Sequence, residues 1–277
     1  MSSSLREAAA LFSTAEGYLR NEQVEDCLRV AAAALEVFKS LGDSGQAGFT
    51  DTLCMMADAH AQIATAQQRK PEEALAMVTQ ALSEFRASRD RRGEASMLLS
   101  LAVINHDKRG RKKRGEALES AAEALRIFRE VEDKKSEALT LLLIATAHFK
   151  CFMYDDMLKE SQAALDILDN FGDKFLKAKA MGLVGLSLAS MRRTEAALEH
   201  ARAAVALWQE LGLERQAAMQ LHTMASWLAA MRLPKKALLV SEQALQIFRS
   251  VGPAGLPGAE PYRREALSVV LACELLI

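Results

Sequence analysis

Apolar residues recur along this chain with two superimposed periods. Over short distances they fall on one face of a helix, as do Leu75, Leu82 and Phe85. Over long distances a similar five-residue segment, which begins with alanine and is called the repeat phrase here, recurs along the chain. Its first residues are Ala34, Ala81, Ala124, Ala164, Ala204 and Ala244, in steps of 47, 43, 40, 40 and 40 residues. A nearly fixed step of this size indicates an array of helical units, each of which buries its apolar face against its neighbours.

The pattern predicts an all-α chain of helix pairs. The first helix of each pair is expected at residues 5–19, 46–67, 94–106, 136–149, 175–191 and 214–231. The second helix of the first pair is expected at residues 22–41. Each pair ends near one of a set of glycines and aspartates, namely Gly42, Asp90, Asp133, Gly172, Gly212 and Gly252. Glycine can take the left-handed conformation past a helix. Aspartate can cap the next helix. Asp43 is expected to do so for the third helix, and the same boundary pattern recurs with Asp90, Asp133 and Asp173.

The same reasoning predicts how the chain is divided. Because a solenoid grows by adding units, residues 1–252 are expected to form a single array of six helix pairs. Three of the five prolines fall within residues 253–261, which are therefore predicted to be a linker. Residues 262–277 are predicted to form a terminal capping helix.

The repeated unit resembles the tetratricopeptide repeat (TPR). Small residues stand where two helices must cross, with Gly185 in a first helix and Ala197 and Ala204 in the second. The resemblance implies a right-handed α-solenoid of antiparallel helix pairs, a TPR-like superhelix. The usual TPR period is about 34 residues, and the longer step here resembles the branch found in Pins-type scaffolds and kinesin light chains. HEAT or armadillo arrays, with a period of about 40 residues, are the alternative, which the alanine spacing disfavours.

Composition narrows the classes of function. With 35 basic and 36 acidic residues, the net charge is -1, so no global field attracts nucleic acid or an anionic membrane. The four cysteines form no C-x-x-C pair, and no apolar run is long enough to cross a membrane. We therefore expect a cytoplasmic protein, with the nucleus as the alternative compartment.

Motifs for catalysis, cofactors and metals were not found in the sequence. A glycine-rich phosphate loop and an H-E-x-x-H motif are both missing, and the five histidines lie in different helices. Residues 185–189 resemble a nucleophile elbow but fall in the middle of a predicted helix. The sequence predicts a protein that is not an enzyme and that holds neither a cofactor nor a metal.

The first helices carry more apolar residues than one packing face needs. Residues 139–145 are apolar on nearly every side of the predicted helix, and a helix of this kind is usually buried on all sides. The TPR resemblance implies that these helices line a concave groove for a peptide or amphipathic helix of a partner protein. By register, the groove positions are Ser96, Leu99, Val103, His106, Leu139, Leu142, Thr146, Phe149, Lys179, Gly182, Leu186, Met219, His222 and Ser226. Leu142, Phe149 and Leu186 are expected at its centre. The alternative is that these residues only fill a tightly wound superhelix.

A basic stretch stands out from the otherwise balanced charge. It is predicted to form a loop containing Lys108, Arg109, Arg111, Lys112, Lys113 and Arg114. Three interpretations are open: a solvated loop, a contact for an acidic or phosphorylated partner, or a signal for nuclear import or nucleic acid. No aromatic residue is interleaved for base stacking, which disfavours single-stranded nucleic acid.

These observations predict a non-catalytic scaffold or adaptor that binds a partner protein. They predict no membrane partner and disfavour nucleic acid. The rival hypothesis is a structural subunit of a large multiprotein assembly without a peptide ligand. An apolar groove favours the first hypothesis, and apolar ends favour the second.

Overall fold

The computed structural model describes residues 3–21, 23–106 and 111–250, together with residues 267, 268 and 270. Over these residues the chain forms α-helices, with one short 3₁₀ turn at Gly42–Gly45 and no strand. The helices are α1 (Ser3–Arg20), α2 (Val24–Ser40), α3 (Gln46–Ala66), α4 (Glu72–Ser88), α5 (Arg91–His106), α6 (Arg111–Glu130), α7 (Lys134–Lys150), α8 (Tyr154–Asp169), α9 (Lys174–Ser190), α10 (Thr194–Glu210), α11 (Glu214–Ala230) and α12 (Pro234–Ser250).

The predicted all-α architecture is confirmed. From α1 to α6 and from α8 to α12, successive helices contact one another as antiparallel neighbours joined by short connections. The predicted helix ends differ from the observed ones by at most three residues, the largest difference being the start of α5 at Arg91. The predicted linker over 253–261 lies outside the described residues. So does most of the predicted capping helix over 262–277, of which residues 267, 268 and 270 are described and helical.

Left-handed residues end the helices, as the glycines of the sequence predict. Gly42, Gly172 and Gly212 have φ angles of 54°, 70° and 68°. The other turns use non-glycine residues in the same conformation, namely Gln68, Arg89, Glu132, Phe152, Arg192 and Arg232. In these turns a backbone N–H donates to the carbonyl five residues earlier, the pattern of the Schellman motif. The turn geometry is therefore repeated although its sequence is not.

Aspartate caps are confirmed at three of the four expected positions. The side chains of Asp90, Asp133 and Asp173 each accept a hydrogen bond from the backbone N–H three residues later. The prediction for Asp43 is wrong, because residues 42–45 form the 3₁₀ turn and Gly45 becomes the N-cap of α3. The extra turn carries the carboxylate of Asp43 away from the start of the helix.

The chain divides into two compact units, residues 1–143 and 144–277, and the division falls within α7. In the first unit, Val78, Phe85 and Phe128 belong to a buried apolar cluster. In the second unit, Ala204 and Trp208 belong to another, which is built from α9 to α12. The six phrase-leading alanines are all buried, as the repeat predicts.

Close helix crossing in the second unit agrees with the predicted small residues. A Cβ atom added to Gly185 on α9 would lie 3.1 Å from the backbone carbonyl oxygen of Ala197 on α10. It would also lie 3.4 Å from the ring of Trp227 on α11. Glycine therefore allows α9 to approach both of its neighbours.

Two buried carboxylates in the first unit hold helices together through matching ion pairs. Glu94 on α5 contacts Arg86 of α4 at 3.0 Å and Arg91 at 2.5 Å. Glu137 on α7 contacts Arg129 of α6 and Lys134, both at 2.8 Å. In each case the side chain of a second helix reaches the first helix of the next pair.

This arrangement predicts a specific loss of stability in acid. Burial alone would raise the pKa of Glu137, but hydrogen bonds from Lys134 and Arg129 hold that pKa below the usual value for a glutamate side chain. A carboxyl group whose pKa is lowered by folding stabilises the protein above its unfolded pKa, and that contribution is lost as the pH falls through the folded pKa. Denaturant unfolding of Glu137→Gln should therefore be less pH-dependent below 4.5 than that of the native chain.

The matched control for this prediction is Glu119→Gln. Glu119 lies on the exposed side of α6, away from the buried carboxylate. Its replacement should leave the acid dependence as it is in the native chain. An unchanged pH profile in Glu137→Gln would show that the buried pairs contribute nothing to acid sensitivity.

Candidate functional site

The apolar surface of α5 and α7 is mostly covered by the chain itself. Met97, Leu98 and Ile104 on α5 are buried, as are Leu141 and Ile144 on α7. On α5 the buried residues are distributed around most of the helix, and include polar ones such as Ser100 and Asn105. An apolar first helix therefore does not by itself identify a binding surface in this chain.

The predicted groove residues differ widely in how much surface they present. Phe149 and Lys179 are exposed. Intermediate burial is found for Leu99, Val103, His106, Leu139, Thr146, Gly182, Leu186, Met219, His222 and Ser226. The set is also split between the two units, because positions up to Leu142 belong to the first and positions from Thr146 belong to the second.

Two of the predicted groove positions require correction. Ser96 is 5% exposed and Leu142 is 6% exposed, so neither has a side-chain surface that a partner could cover. The register of the TPR resemblance assigned both of them to the groove. Here the side chains of Ser96 and Leu142 are buried within the chain, whereas Phe149, on the same side of α7 as Leu142, is exposed.

In the second unit, α9 and α11 lie side by side where the predicted groove residues fall. A Cβ atom added to Gly182 would lie 2.9 Å from the Oε1 atom of Gln220. The ammonium nitrogen of Lys179 lies 5.5 Å from the centre of the Phe175 ring, within the range of a cation–π contact. This face of the second unit is therefore polar at Lys179 and Gly182.

Three large exposed apolar side chains adjoin the end of the predicted groove. Phe149, Phe152 and Met153 are 36%, 78% and 46% exposed and lie in and around the turn between α7 and α8. We call Phe149, Phe152, Met153 and Tyr154 the aromatic turn. It belongs entirely to the second unit. An exposed cluster of large apolar side chains commonly marks a site of interaction.

Ring contacts and the backbone hold the aromatic turn in shape. The Tyr154 ring centre lies 6.3 Å from that of Phe149 and 6.3 Å from that of Phe152, the latter in an edge-to-face arrangement. The backbone N–H of Met153 donates to the carbonyl of His148 at 3.0 Å, which closes the turn. Phe152 takes a φ angle of 59°.

Sequence reasoning identified Phe149 and missed the rest of the aromatic turn. The corresponding turns of the second unit carry Arg192 and Arg232 at the left-handed position where this turn carries Phe152. A large aromatic side chain at a left-handed, solvent-facing position costs conformational energy and buries little. Comparing the turns with one another, position by position, would have revealed the exception.

The left-handed conformation of Phe152 predicts that its removal stabilises the fold. Phe152→Gly should raise the free energy of unfolding by about 0.5–1 kcal/mol, because relief of left-handed strain exceeds the entropy cost of glycine. Denaturant unfolding of the purified variant would measure this. The control Ala206→Gly, at an exposed position within α10, should lose about 0.5–1 kcal/mol. A destabilised Phe152→Gly variant would mean that the aromatic contacts outweigh the strain.

The predicted basic loop is partly wrong. Arg111, Lys112, Lys113 and Arg114 form the first turn of α6, since lysine and arginine are good helix formers. Lys113 contacts Glu116 at 2.5 Å, and Arg114 is partly buried. Lys108 and Arg109 lie outside the described residues. No helix in the part of the chain that the structure describes is long and apolar enough to cross a membrane.

No family model and no curated protein matches the chain. Several solved structures do match it. A STAND protein with a tetratricopeptide repeat sensor from Pyrococcus horikoshii is 17% identical with a TM-score of 0.64, and the match covers 97% of this chain and 39% of that protein. Aspartyl phosphate phosphatase F from Bacillus subtilis is 13% identical with a TM-score of 0.61, over 100% of this chain and 94% of that one.

A third solved structure agrees with these two. BtubC from P. vanneervenii is 16% identical with a TM-score of 0.58, over 74% of this chain and 90% of that one. The chain spans 39% of the STAND protein, so only a part of that larger protein is matched. At these identities the comparisons concern the fold, and the fold is that of a TPR-type helical-repeat solenoid.

Proposed function

We propose that this chain is a non-catalytic scaffold or adaptor that binds a peptide or helical segment of a partner protein. The observation that carries the proposal is the aromatic turn, where Phe152 and Met153 are exposed in a fold that buries most of its other large apolar side chains. Exposed aromatic and methionine side chains contribute to binding when a partner buries their apolar surface, and both types are enriched at the centres of protein interfaces. A TPR-type fold, whose solved neighbours include a repeat described as a sensor, is consistent with this function.

The proposed binding surface begins at the aromatic turn and continues along the C-terminal part of α7. Phe149 connects the two, because it belongs to the aromatic turn and is also a predicted groove residue. Thr146 lies one helical turn before it and is partly exposed. A partner segment with one or two large apolar anchors would bury Phe152 and Met153 and then follow the surface toward Thr146.

The proposal can be tested by selecting peptides that bind the purified chain from a random display library. Selected peptides should bind the native chain and lose most of their affinity for a variant carrying Phe152→Gly and Met153→Ser, since truncating a central anchor commonly costs about 2 kcal/mol or more. The first substitution is expected to stabilise the fold, so lost binding would not reflect unfolding. Peptides that bind this variant as tightly as the native chain would contradict the proposal.

The matched control is Phe171→Ser. Phe171 is 52% exposed and lies in the turn between α8 and α9, at the opposite end of α8. Its replacement removes a comparable exposed ring without touching the aromatic turn. The selected peptides should bind this control as they bind the native chain.

One observation favours the second candidate, a structural subunit of a larger assembly. Phe171 and Leu239, which is 59% exposed on α12, lie away from the proposed binding surface. Apolar side chains at several separate places are expected when a protein is covered on several sides. If the Phe171→Ser variant, but not the aromatic-turn variant, lost its partners in affinity capture from its native cell, this second function would replace the first.

A further inference from the structure

Five basic residues gather at one edge of the second unit. They are Arg192 and Arg193, in the turn between α9 and α10, and Arg232, Lys235 and Lys236, at the turn between α11 and α12. All five side chains are exposed. We call this group the basic edge. It shares no residue with the aromatic turn or with the predicted basic stretch at 108–114.

The fold brings these two turns to the same edge. Successive helices from α8 to α12 run antiparallel and are joined by short turns, so α9 and α11 end where α10 and α12 begin. The α9 and α11 helices also lie directly against each other, since a Cβ atom on Gly185 would be 3.4 Å from the Trp227 ring. Their C-terminal turns are consequently neighbours.

Among the described residues, the five cations lie together without carboxylate partners, in contrast to several basic side chains of the first unit. In the first unit, Arg92 contacts both Asp51 and Asp133 at 2.9 Å, and Glu94 and Glu137 each gather two basic side chains. Over residues 111–250, no ion pair or side-chain hydrogen bond of the basic edge is present. Like charges held together without counter-charges repel one another, and an external anionic group would relieve that repulsion.

From this arrangement we infer that the basic edge binds an acidic segment of a partner protein. The proposal goes beyond the proposed function, because it concerns other residues and stands whether or not the aromatic turn binds a partner. Arginine can pair with carboxylates through two parallel hydrogen bonds, and lysine adds a point charge. A run of glutamate or aspartate residues crossing from the α9–α10 turn to the α11–α12 turn would meet all five cations.

The charges that flank the basic edge favour a short acidic segment over an extended anionic surface. Asp155 and Asp156 begin α8, and Glu195 lies in the first turn of α10, all at this same edge. A membrane or a long nucleic acid laid along the edge would meet these carboxylates and be repelled. An acidic peptide can confine its contacts to the two basic turns.

The experiment uses a fluorescein-labelled poly-glutamate peptide and fluorescence anisotropy with the whole chain. The peptide should bind the native chain at low salt and dissociate as salt is added. Changing all five residues to glutamine should weaken binding about tenfold or more, because many screened contacts are lost together. Circular dichroism should show the same helix content in both proteins, since all five side chains are exposed.

A matched variant controls for the change in total charge. It carries glutamine at the five exposed positions Arg6, Lys39, Arg69, Lys70 and Arg89, all in the first unit. This variant should keep native affinity for poly-glutamate. Equal loss in the two variants would overturn the proposal, because binding would then follow net charge alone.

Two further probes separate other anionic partners. Phosphatidylserine vesicles and single-stranded poly-dT should bind more weakly than poly-glutamate under the same conditions. If either bound more tightly and lost its binding in the basic-edge variant, the edge would be a membrane or nucleic-acid surface and the proposal would be wrong. Absence of poly-glutamate binding to the native chain would also overturn it.

Discussion

Leu142→Glu is expected to prevent folding of the first unit. The side chain of Leu142 is 6% exposed, so the substitution removes a buried apolar group and places a carboxylate in its position. Loss of a buried leucine side chain costs about 2–5 kcal/mol, and an unpaired buried charge adds to that. The total is comparable with the whole stability of an ordinary domain, about 5–15 kcal/mol. Far-UV circular dichroism and thermal unfolding would measure the effect.

Phe149→Glu is the matched control. Phe149 lies seven residues further along α7, two helical turns away and therefore on the same side of the helix, but it is 36% exposed. This variant should stay folded and lose peptides that bind the aromatic turn. If Leu142→Glu were instead folded and defective only in binding, the sequence-based assignment of Leu142 to an open groove would be restored.

Ala204→Trp is expected to destabilise the second unit by about 1 to 3 kcal/mol or more. Ala204 is fully buried in the cluster that includes Trp208, Ala217 and Leu221. An indole at this position has no space, because α10 packs against both α9 and α11. Either the helices must separate or neighbouring side chains must leave their preferred rotamers. Denaturant unfolding would give the free-energy difference.

Ala206→Trp is the control on the same helix. Ala206 is exposed, so the same new side chain meets solvent, and the expected change in unfolding free energy is within about 0.5 kcal/mol. Equal effects at the two positions would show that helix propensity, and not overpacking, decides the outcome. A neutral Ala204→Trp variant would mean that the repeat register is wrong.

The fold was predictable because the signals that define it are local and repeated. A small residue is needed where two helices cross, and the sequence meets this requirement with an alanine at the start of all six repeat phrases. Gly172 and Gly212 mark helix ends, because glycine takes the left-handed conformation there without a steric penalty. Errors occurred where a single unit departs from the repeat, as at Asp43, where a 3₁₀ turn intervenes.

The candidate site was less predictable because it depends on which apolar residues remain uncovered. Leu142 and Phe149 lie on one side of α7 and are both apolar in sequence, yet one is buried and the other is exposed. The sequence specifies the face of a helix, whereas exposure depends on neighbours that lie far away along the chain. Phe152 was missed for a different reason. Turn residues predict where helices end, but that prediction does not consider which side chains the turns expose.

The repeated left-handed turn has a consequence for how such a chain can acquire new partners. Phe152, Arg192 and Arg232 have φ angles of 59°, 60° and 58°, so an aromatic and two cationic residues occupy one backbone geometry. Side chains at this position can be exchanged by point mutation, or moved between repeats by recombination, without redesign of the buried alanines beneath them. Grafting the Cys151–Phe152–Met153 tripeptide onto the α9–α10 turn would thus transplant an apolar epitope, and the spacing of the helices would set the distance between the original and the copy.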